Sequence, residues 1–400
     1  MIERKLYLDK LISWKDKDII KVITGIRRCG KSTLLNSFAE YLIKSEVDKQ
    51  NIIQINLEDI KYDNMDYKTL YNLIEKKVLN NNDKTYIFLD EIQRINSWEK
   101  VINSLYLNKN IDIYITGSNA YLLSSELSTY LSGRFVEIKM LPLSFKEFLL
   151  FYEFDNISIE RKFALYLKYG GMPSIANCNF IDSQVNDIFD SIYNTVLVKD
   201  IITRAEVKDI VVMQKLIKFL ADNISNITSI NNITSMLVNE KSLNKRNNKL
   251  IDYYVQLLEN AYIFYKVQRY DIKGKDILKS LEKYYIVDSG LRYFLLGRIS
   301  DTGRILENIV YFELLRRNYK VYIGKFDNKE IDFIAEKQGE KLYIQVSENI
   351  SDPKTKEREL NILSSINDNF TKILLTMDVL HTGITENGIK IVNIIDWLLE

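Results

Sequence analysis

Short apolar runs alternate with amphipathic stretches along the first 140 residues of the chain. The runs are rich in β-branched and aromatic residues and too short for helices, so they predict strands. They span residues 19–24, 51–57, 86–89, 111–116 and 134–140. The stretches between them repeat apolar residues at helical spacing, and they span residues 31–44, 67–80 and 98–107. Near-continuous apolar strands that alternate with helices predict a parallel sheet covered by helices on both faces.

The pattern changes after residue 140, and residues 141–205 are predicted to be a mostly helical extension of the first module. Three helices then precede a β-hairpin, which is the element order of a winged helix and predicts that module over residues 206–298. Its helices span residues 211–224, 230–238 and 242–260, and its strands span residues 261–270 and 284–287.

Residues 299–400 return to a mixed α/β pattern. A helix is predicted at residues 305–318, before strands at residues 320–324, 331–335, 341–346 and 371–376. The whole chain is therefore predicted to be of the α/β class, with modules at residues 1–140, 141–205, 206–298 and 299–400.

Composition excludes several classes of protein. The 400 residues allow two or three domains, and 46% hydrophobic with 27% charged residues excludes a disordered chain. A net charge of +1 argues against a globally basic nucleic-acid coat. Two cysteines, Cys29 and Cys178, and one histidine, His381, exclude a disulfide scaffold and zinc sites built from several such residues. A Ser-His-Asp triad would have to use His381.

Membrane and export signals are not recognisable in the sequence. No window of about 18 residues is apolar enough to cross a bilayer, and the charged N-terminus does not match a signal peptide. We therefore expect a cytoplasmic protein without membrane insertion.

One segment fits the phosphate-loop pattern G-x-x-x-x-G-K-[ST] between a predicted strand and a predicted helix. Its residues are Gly25, Ile26, Arg27, Arg28, Cys29, Gly30, Lys31, Ser32 and Thr33. The glycines let backbone N–H groups approach phosphate oxygens, and the positive end of the helix faces the anion. We expect Lys31 to contact the β- and γ-phosphates and Ser32 to ligate Mg²⁺.

Polar residues follow two later strands and form the candidate catalytic set. Asp90 and Glu91 end an apolar strand, where Asp90 would hold Mg²⁺ and Glu91 would polarise the attacking water. Ser118 and Asn119 end the next strand and would orient that water or sense the γ-phosphate; the alternative is a helix cap. Arg134 is either an arginine finger, in its own subunit or a neighbouring one, or a surface residue.

These motifs resemble those of the AAA-type P-loop ATPases of bacteria and archaea, at residues 25–33, 89–93, 115–118 and 133–135. Residues 141–145 and 170–173 resemble one subgroup, in which a poorly characterised domain follows the ATPase, and residues 283–291 are similar to that domain. The resemblance covers essentially the whole chain. It implies ATP and Mg²⁺ as cofactors and a sheet in which the strand before Ser118 lies between those before the phosphate loop and the acidic pair.

Basic residues cluster near the start of the predicted helix 242–260: Lys241, Lys245, Arg246 and Lys249. In a winged helix this helix enters the major groove, and Lys273 and Lys275 would lie on the wing. Three interpretations stay open here, namely DNA contact, docking of a protein client and a solvated face.

The last module resembles the restriction-endonuclease-like fold through an acid on a helix, Glu307, an acid on a strand, Asp332, and Gln345 on the next strand. That fold has Glu-x-Lys at the third element, where this chain has Gln345 and Ser347. A neutral glutamine is a weaker ligand for Mg²⁺, and serine cannot supply the positive charge. We therefore predict binding or scaffolding rather than cleavage.

Two functions of different classes follow. The first is an ATPase that hydrolyses ATP with Mg²⁺ and couples the cycle to its C-terminal modules. The second is a regulator that binds nucleic acid or a protein partner and uses ATP as a slow switch. An Mg²⁺-dependent nuclease is the third and least supported. Assembly into a homo-oligomer stays open.

Overall fold

The computed structural model describes residues 3–78, 83–120, 133–152, 156–196, 201–202, 207, 209–243 and 245–400. The chain divides into two compact units. Unit 1 comprises Met1–Met140 with Asn260–Tyr262, and unit 2 comprises Leu141–Glu259 with Ile263–Glu400. The boundary predicted between residues 205 and 206 lies outside the described residues.

Unit 1 contains a five-stranded parallel sheet. Its strands are β1 Ile20–Thr24, β2 Ile52–Asn56, β3 Thr85–Asp90, β4 Ile111–Gly117 and β5 Phe135–Lys139. The helices described in this unit are α1 Lys5–Ser13, α2 Lys31–Lys44, α3 Tyr67–Glu75 and α4 Trp98–Tyr106. The strand order is β2-β3-β4-β1-β5, which confirms the predicted parallel sheet and places β4 between β1 and β3 as the resemblance implied.

Helices cover both faces of this sheet, and the side chains of β3 show why its sequence is apolar throughout. Ile87 is buried in a cluster that contains Leu70 of α3 and Val101 of α4. Phe88 points to the other face, where its ring centroid lies 6.0 Å from that of Phe38 in α2. Successive side chains of a strand point to opposite faces, so a sheet covered on both sides buries every position.

Unit 2 contains a mixed eight-stranded sheet. Its strands are β6 Phe264–Asp271, β7 Asp276–Ile286, β8 Lys320–Phe326, β9 Lys329–Lys337, β10 Glu340–Ser347, β11 Thr371–Thr376, β12 Gly383–Ile384 and β13 Lys390–Asn393. Their order is β12-β13-β11-β10-β9-β8-β6-β7. Because β6 pairs in parallel with β8, the predicted hairpin and the strands after residue 299 form one sheet rather than two.

The helices that the structure describes in unit 2 come before, between and after these strands. They are α5 Phe145–Phe151, α6 Ile159–Tyr169, α7 Asp182–Asn194, α8 Ile210–Asp222, α9 Ile230–Asn239, α10 Asn248–Asn260, α11 Ser289–Leu296, α12 Thr302–Arg316, α13 Pro353–Ser364 and α14 Ile394–Leu399. None of the helices in the described part of the chain is long and apolar enough to cross a membrane.

The predicted start of the long middle helix is wrong, because α10 begins at Asn248 rather than at residue 242. The Asn247 side chain accepts a hydrogen bond of 3.1 Å from the backbone N–H of Leu250, as a helix cap does. Helix α13 was not predicted, although Asp352 caps it through the backbone N–H of Thr355 and Pro353 occupies its first turn.

Two segments that carried the family resemblance fit together within unit 2. The buried Asp288 carboxylate accepts hydrogen bonds from the backbone N–H groups of Gly171 (2.7 Å) and Leu291 (3.0 Å). A Cβ atom at Gly170, where φ is +73°, would lie 2.1 Å from Asp288 Oδ1. Burial raises the pKa of Asp288 to about 6. These residues therefore act in packing, which explains why they identify a family without indicating an activity.

Candidate functional site

The phosphate loop joins β1 to α2 in a backbone path that requires glycine. Gly25 and Gly30 have φ of +142° and +103°, which side-chain-bearing residues rarely adopt. A Cβ atom at Gly25 would lie 2.1 Å from the backbone oxygen of Met140. Gly30 precedes α2, and no side chain caps this helix. The first backbone N–H groups of α2 are therefore suited to an anion.

Lys31 is buried and connects the loop with the acidic strand end. Its Nζ donates hydrogen bonds to the backbone oxygens of Gly25 (3.1 Å) and Ile26 (3.2 Å). The same atom lies 3.8 Å from Glu91 Oε1. The ammonium group therefore lies beside the loop backbone, where it could contact phosphate oxygens held by the loop.

Asp90 forms the second part of the site, at the end of β3. It is buried, and it is hydrogen-bonded by the hydroxyls of Ser32 and Thr116. Burial raises the pKa of Asp90, and those two hydrogen bonds oppose the shift. Ser32 and Asp90 supply hard oxygen ligands, which suit a nucleotide-bound Mg²⁺. No group of three or more acidic, cysteine or histidine side chains in the described part of the chain could hold a metal ion.

Glu91 is held at a strained backbone position beside Asp90. Its φ is +54°, and its side chain is buried. The Ser118 hydroxyl donates a hydrogen bond of 3.0 Å to Glu91 Oε2, which the Gln93 side-chain amide also contacts. Thr116 Oγ1 accepts a hydrogen bond of 3.0 Å from the backbone N–H of Glu91. The structure thus brings Lys31, both acids and Ser118 together.

Thr116 and Gln93 lie within the predicted motifs, but sequence reasoning did not single them out as site residues. The strand pairing could have revealed Thr116, since Leu89 of β3 pairs with Ile115 of β4 and the next residues of both strands must also be adjacent. Gln93 lies two residues after Glu91 in the sequence, but only the turn geometry brings its amide back to that carboxylate.

The remaining loop residues lie at the edges of the site. Arg27 forms an ion pair with Glu58. Burial raises the pKa of Cys29, and its thiol lies 3.7 Å from a backbone oxygen, so it is not a reactive cysteine. Arg28 and Thr33 are exposed, whereas Asn119 is buried.

Arg134 does not lie in this site. Its backbone oxygen accepts a hydrogen bond of 2.8 Å from Ile20 N at the start of β1, whereas the phosphate loop follows the end of β1. Its guanidinium group lies 5.4 Å from the ring centroid of Tyr106. An arginine-finger role within the same chain is therefore wrong for Arg134.

Comparison with known proteins identifies the family. Residues 17–149 match the AAA domain, and residues 160–302 match a domain of unknown function, DUF8612. An uncharacterized protein of Haemophilus influenzae is 43% identical over 100% of this chain and 99% of its own length. An uncharacterized protein of Methanocaldococcus jannaschii is 31% identical over 85% of this chain and 77% of its own length. This chain belongs to their family.

The AAA domain also agrees with a solved structure. The Walker-type ATPase of Pyrococcus abyssi has a TM-score of 0.53 and 14% identity, covering 74% of this chain and 96% of that one. At this identity the similarity shows the fold alone. The P-loop fold expected for the AAA domain is confirmed, whereas the winged helix and the nuclease-like domain after it stay predictions.

The basic residues after the AAA domain lie in an exposed loop and at the first turn of α10. Lys241, Lys245 and Lys249 are exposed and form no ion pair within the described ranges. Arg246 donates a hydrogen bond of 2.6 Å to Ser235 Oγ. Lys273, predicted to lie on the wing, is paired with Asp327 at 2.7 Å, and Lys275 is exposed.

The three residues of the predicted degenerate nuclease site meet in unit 2, together with a lysine that was not predicted. Asp332 N donates to Gln345 Oε1 at 3.2 Å. Lys283 Nζ lies 2.8 Å from Glu307, 2.7 Å from Glu330 and 3.8 Å from Asp332. Burial opposes ionisation of Lys283, but these carboxylates outweigh it and raise its pKa. The Tyr285 hydroxyl also donates a hydrogen bond to Glu307. The ammonium group of Lys283 therefore supplies a positive charge to this cluster of carboxylates.

His381 does not form a nucleophilic triad. Its Nδ1 lies 2.8 Å from Asp378 Oδ2, and the Ser351 hydroxyl donates to the same oxygen at 2.7 Å. Serine and histidine thus share the aspartate, whereas a triad places histidine between the other two.

Proposed function

We propose that this protein binds ATP and hydrolyses it with Mg²⁺. The proposal is carried by the contacts that join the phosphate loop to the acidic strand end. Lys31 lies beside Glu91, and Ser32 is hydrogen-bonded to Asp90. The exposed hydroxyl of Ser32, the buried carboxylates of Asp90 and Glu91 and the buried cation of Lys31 lie in one set of contacts, and these are the groups that phosphoryl transfer needs.

In this proposal each side chain has a separate role. Loop N–H groups and Lys31 bind the β- and γ-phosphates, while Ser32 and Asp90 would hold Mg²⁺, which neutralises charge on the phosphate oxygens. Glu91 accepts a proton from the attacking water as the new O–P bond forms and the bond to ADP breaks. Phosphate oxygens would compete with Glu91 for the Lys31 ammonium, so nucleotide binding would free Glu91 to act as the base.

Coupling of this cycle to the rest of the chain is the second part of the proposal. The chain passes between the two units three times, after residues 140, 259 and 262. Each crossing is a covalent connection through which a change in the AAA domain can affect unit 2. This feature favours an ATPase that drives its C-terminal part over one that only turns over nucleotide.

The test is phosphate release from ATP by the full-length chain. We expect release in Mg²⁺ that stops with a chelator and falls in Asp90→Asn, which keeps the shape of the side chain but removes its charge. Asp63→Asn is the matched control, since Asp63 is exposed and lies in the connection between β2 and β3 of the same sheet. Release that is absent, or equal in wild type and Asp90→Asn, would contradict the proposal.

Nucleic-acid binding by unit 2 is a second candidate function. It is favoured by the exposed Lys241, Lys245 and Lys249 near the start of α10, which have no acidic partner among the described residues. Phosphate contacts from such lysines would release counterions, so binding would weaken with salt. This is the regulator hypothesis, in which ATP acts as a switch.

Fluorescence anisotropy of a labelled DNA duplex would test this function. Reversing the three lysines to Glu should weaken binding and reduce the slope of log affinity against log salt by about three. A control variant reverses the exposed Lys329, Lys354 and Lys390 and should keep the wild-type slope. Wild-type binding that is absent or independent of salt would refute DNA contact and leave a protein client or a solvated face as the interpretation of this loop.

A further inference from the structure

Gln93 lies in the proposed ATPase site and has no role in the mechanism above. Its Nε2 donates to Glu91 Oε2 and lies 3.3 Å from Ser118 Oγ. Ser118 in turn donates to the same Glu91 oxygen at 3.0 Å. Gln93 and Ser118 thus hold the same oxygen of the Glu91 carboxylate.

The other end of the Gln93 amide has no partner. Oε1 is buried and makes no hydrogen bond with any described residue. Turning the amide over would place this oxygen against the Glu91 carboxylate, so the contact with Glu91 determines the orientation. A buried acceptor without a donor costs free energy, and native structures rarely keep one without a reason.

We propose that Gln93 is a positioning residue for the attacking water. The inference rests on the proposed ATP hydrolysis. Its Nε2 holds the Glu91 carboxylate in one orientation, so that the carboxylate accepts one O–H of that water. With this O–H directed to Glu91, a lone pair of the water oxygen faces the γ-phosphorus. The proton passes to Glu91 as the O–P bond forms, and Gln93 stays neutral throughout.

Substitutions at Gln93 separate this role from simple packing. Gln93→Met keeps the length of the side chain but has neither donor nor acceptor. We expect kcat to fall about 100-fold, with the Kd for a non-hydrolysable ATP analogue and the unfolding midpoint close to wild type. Gln54→Met is the matched control, since Gln54 lies on β2 with an exposed side chain and should keep full activity.

Gln93→Glu adds a readout that packing alone would not change. The new carboxylate keeps nearly the shape of the glutamine side chain but stands against Glu91. Two adjacent carboxylates disfavour the ionised form of the pair, so the acid limb of the pH–rate profile should move to higher pH, with activity recovering as the pH rises.

The outcomes distinguish this inference from the proposed function. Wild-type hydrolysis together with near-wild-type kcat in Gln93→Met would overturn the positioning role, as would a loss that appears only in nucleotide affinity or stability. An unshifted pH profile in Gln93→Glu would also count against it. A wild-type chain that releases no phosphate would instead refute the proposed ATPase.

Discussion

Replacing Glu91 with Gln should leave ATP bound while kcat falls by roughly 10²- to 10⁴-fold, the usual contribution of a general base. Glutamine keeps the shape of the side chain and can still contact Ser118, but it cannot take a proton from water. It also removes the negative charge 3.8 Å from Lys31 Nζ. The ammonium is then released to phosphate, so ATP affinity should equal or exceed that of wild type.

Single-turnover kinetics and the Kd of a fluorescent ATP analogue together measure these two effects. Glu40→Gln is a suitable control because Glu40 is exposed on α2 and does not belong to the contacts between the phosphate loop and the acidic strand end. If Glu91→Gln turned over ATP at the wild-type rate, the base would have to be another group. If it lost ATP binding instead, Glu91 would be a structural residue of the loop.

Replacing Lys31 with Ala should remove measurable nucleotide binding. A hydrogen bond to a charged group contributes about 1.5–3 kcal/mol, so losing contacts to two phosphates weakens binding by about 100-fold or more. The substitution also leaves Glu91 without its counter-ion and the Gly25 and Ile26 oxygens without their donor. We therefore expect no phosphate release from this variant.

Isothermal titration with ATP and Mg²⁺ checks this prediction. Lys31→Met, which retains most of the side-chain volume, shows whether a loss of binding reflects the missing charge or a cavity. Lys44→Ala removes an exposed lysine from the last turn of the same helix and should bind normally. Wild-type affinity in both Lys31 variants would mean that nucleotide does not bind at this loop.

The core elements of unit 1 were predictable because their signals are local. The helix from Lys31 to Lys44 follows directly from apolar spacing after the phosphate loop. Strand β3 was predicted from a short apolar run, and the structure buries every position of the strand. In unit 2 the prediction failed at the start of α10. The helical pattern was extended back to residue 242, but the Asn247 side chain caps the helix and ends the pattern there.

The candidate site was predictable in part for the same reason. Lys31, Ser32, Asp90 and Glu91 lie in motifs whose spacing implies phosphate chemistry, and the structure brings them together. Arg134 also lies in a family motif, yet it stands at the start of β5, away from the loop. The predicted parallel sheet already implied this position, because the start of one strand and the end of its parallel neighbour lie at opposite edges of the sheet.

The sequence by itself determined the phosphate loop, the acidic strand end and the α/β class of the AAA domain, because each depends on residues that are neighbours in the chain. Tertiary structure alone decided that Thr116 bridges Asp90 and Glu91, that Gln93 keeps a buried oxygen beside them, and that Lys283 neutralises a carboxylate cluster. These contacts depend on strand register, turn geometry and burial, which bring together groups that residue spacing does not.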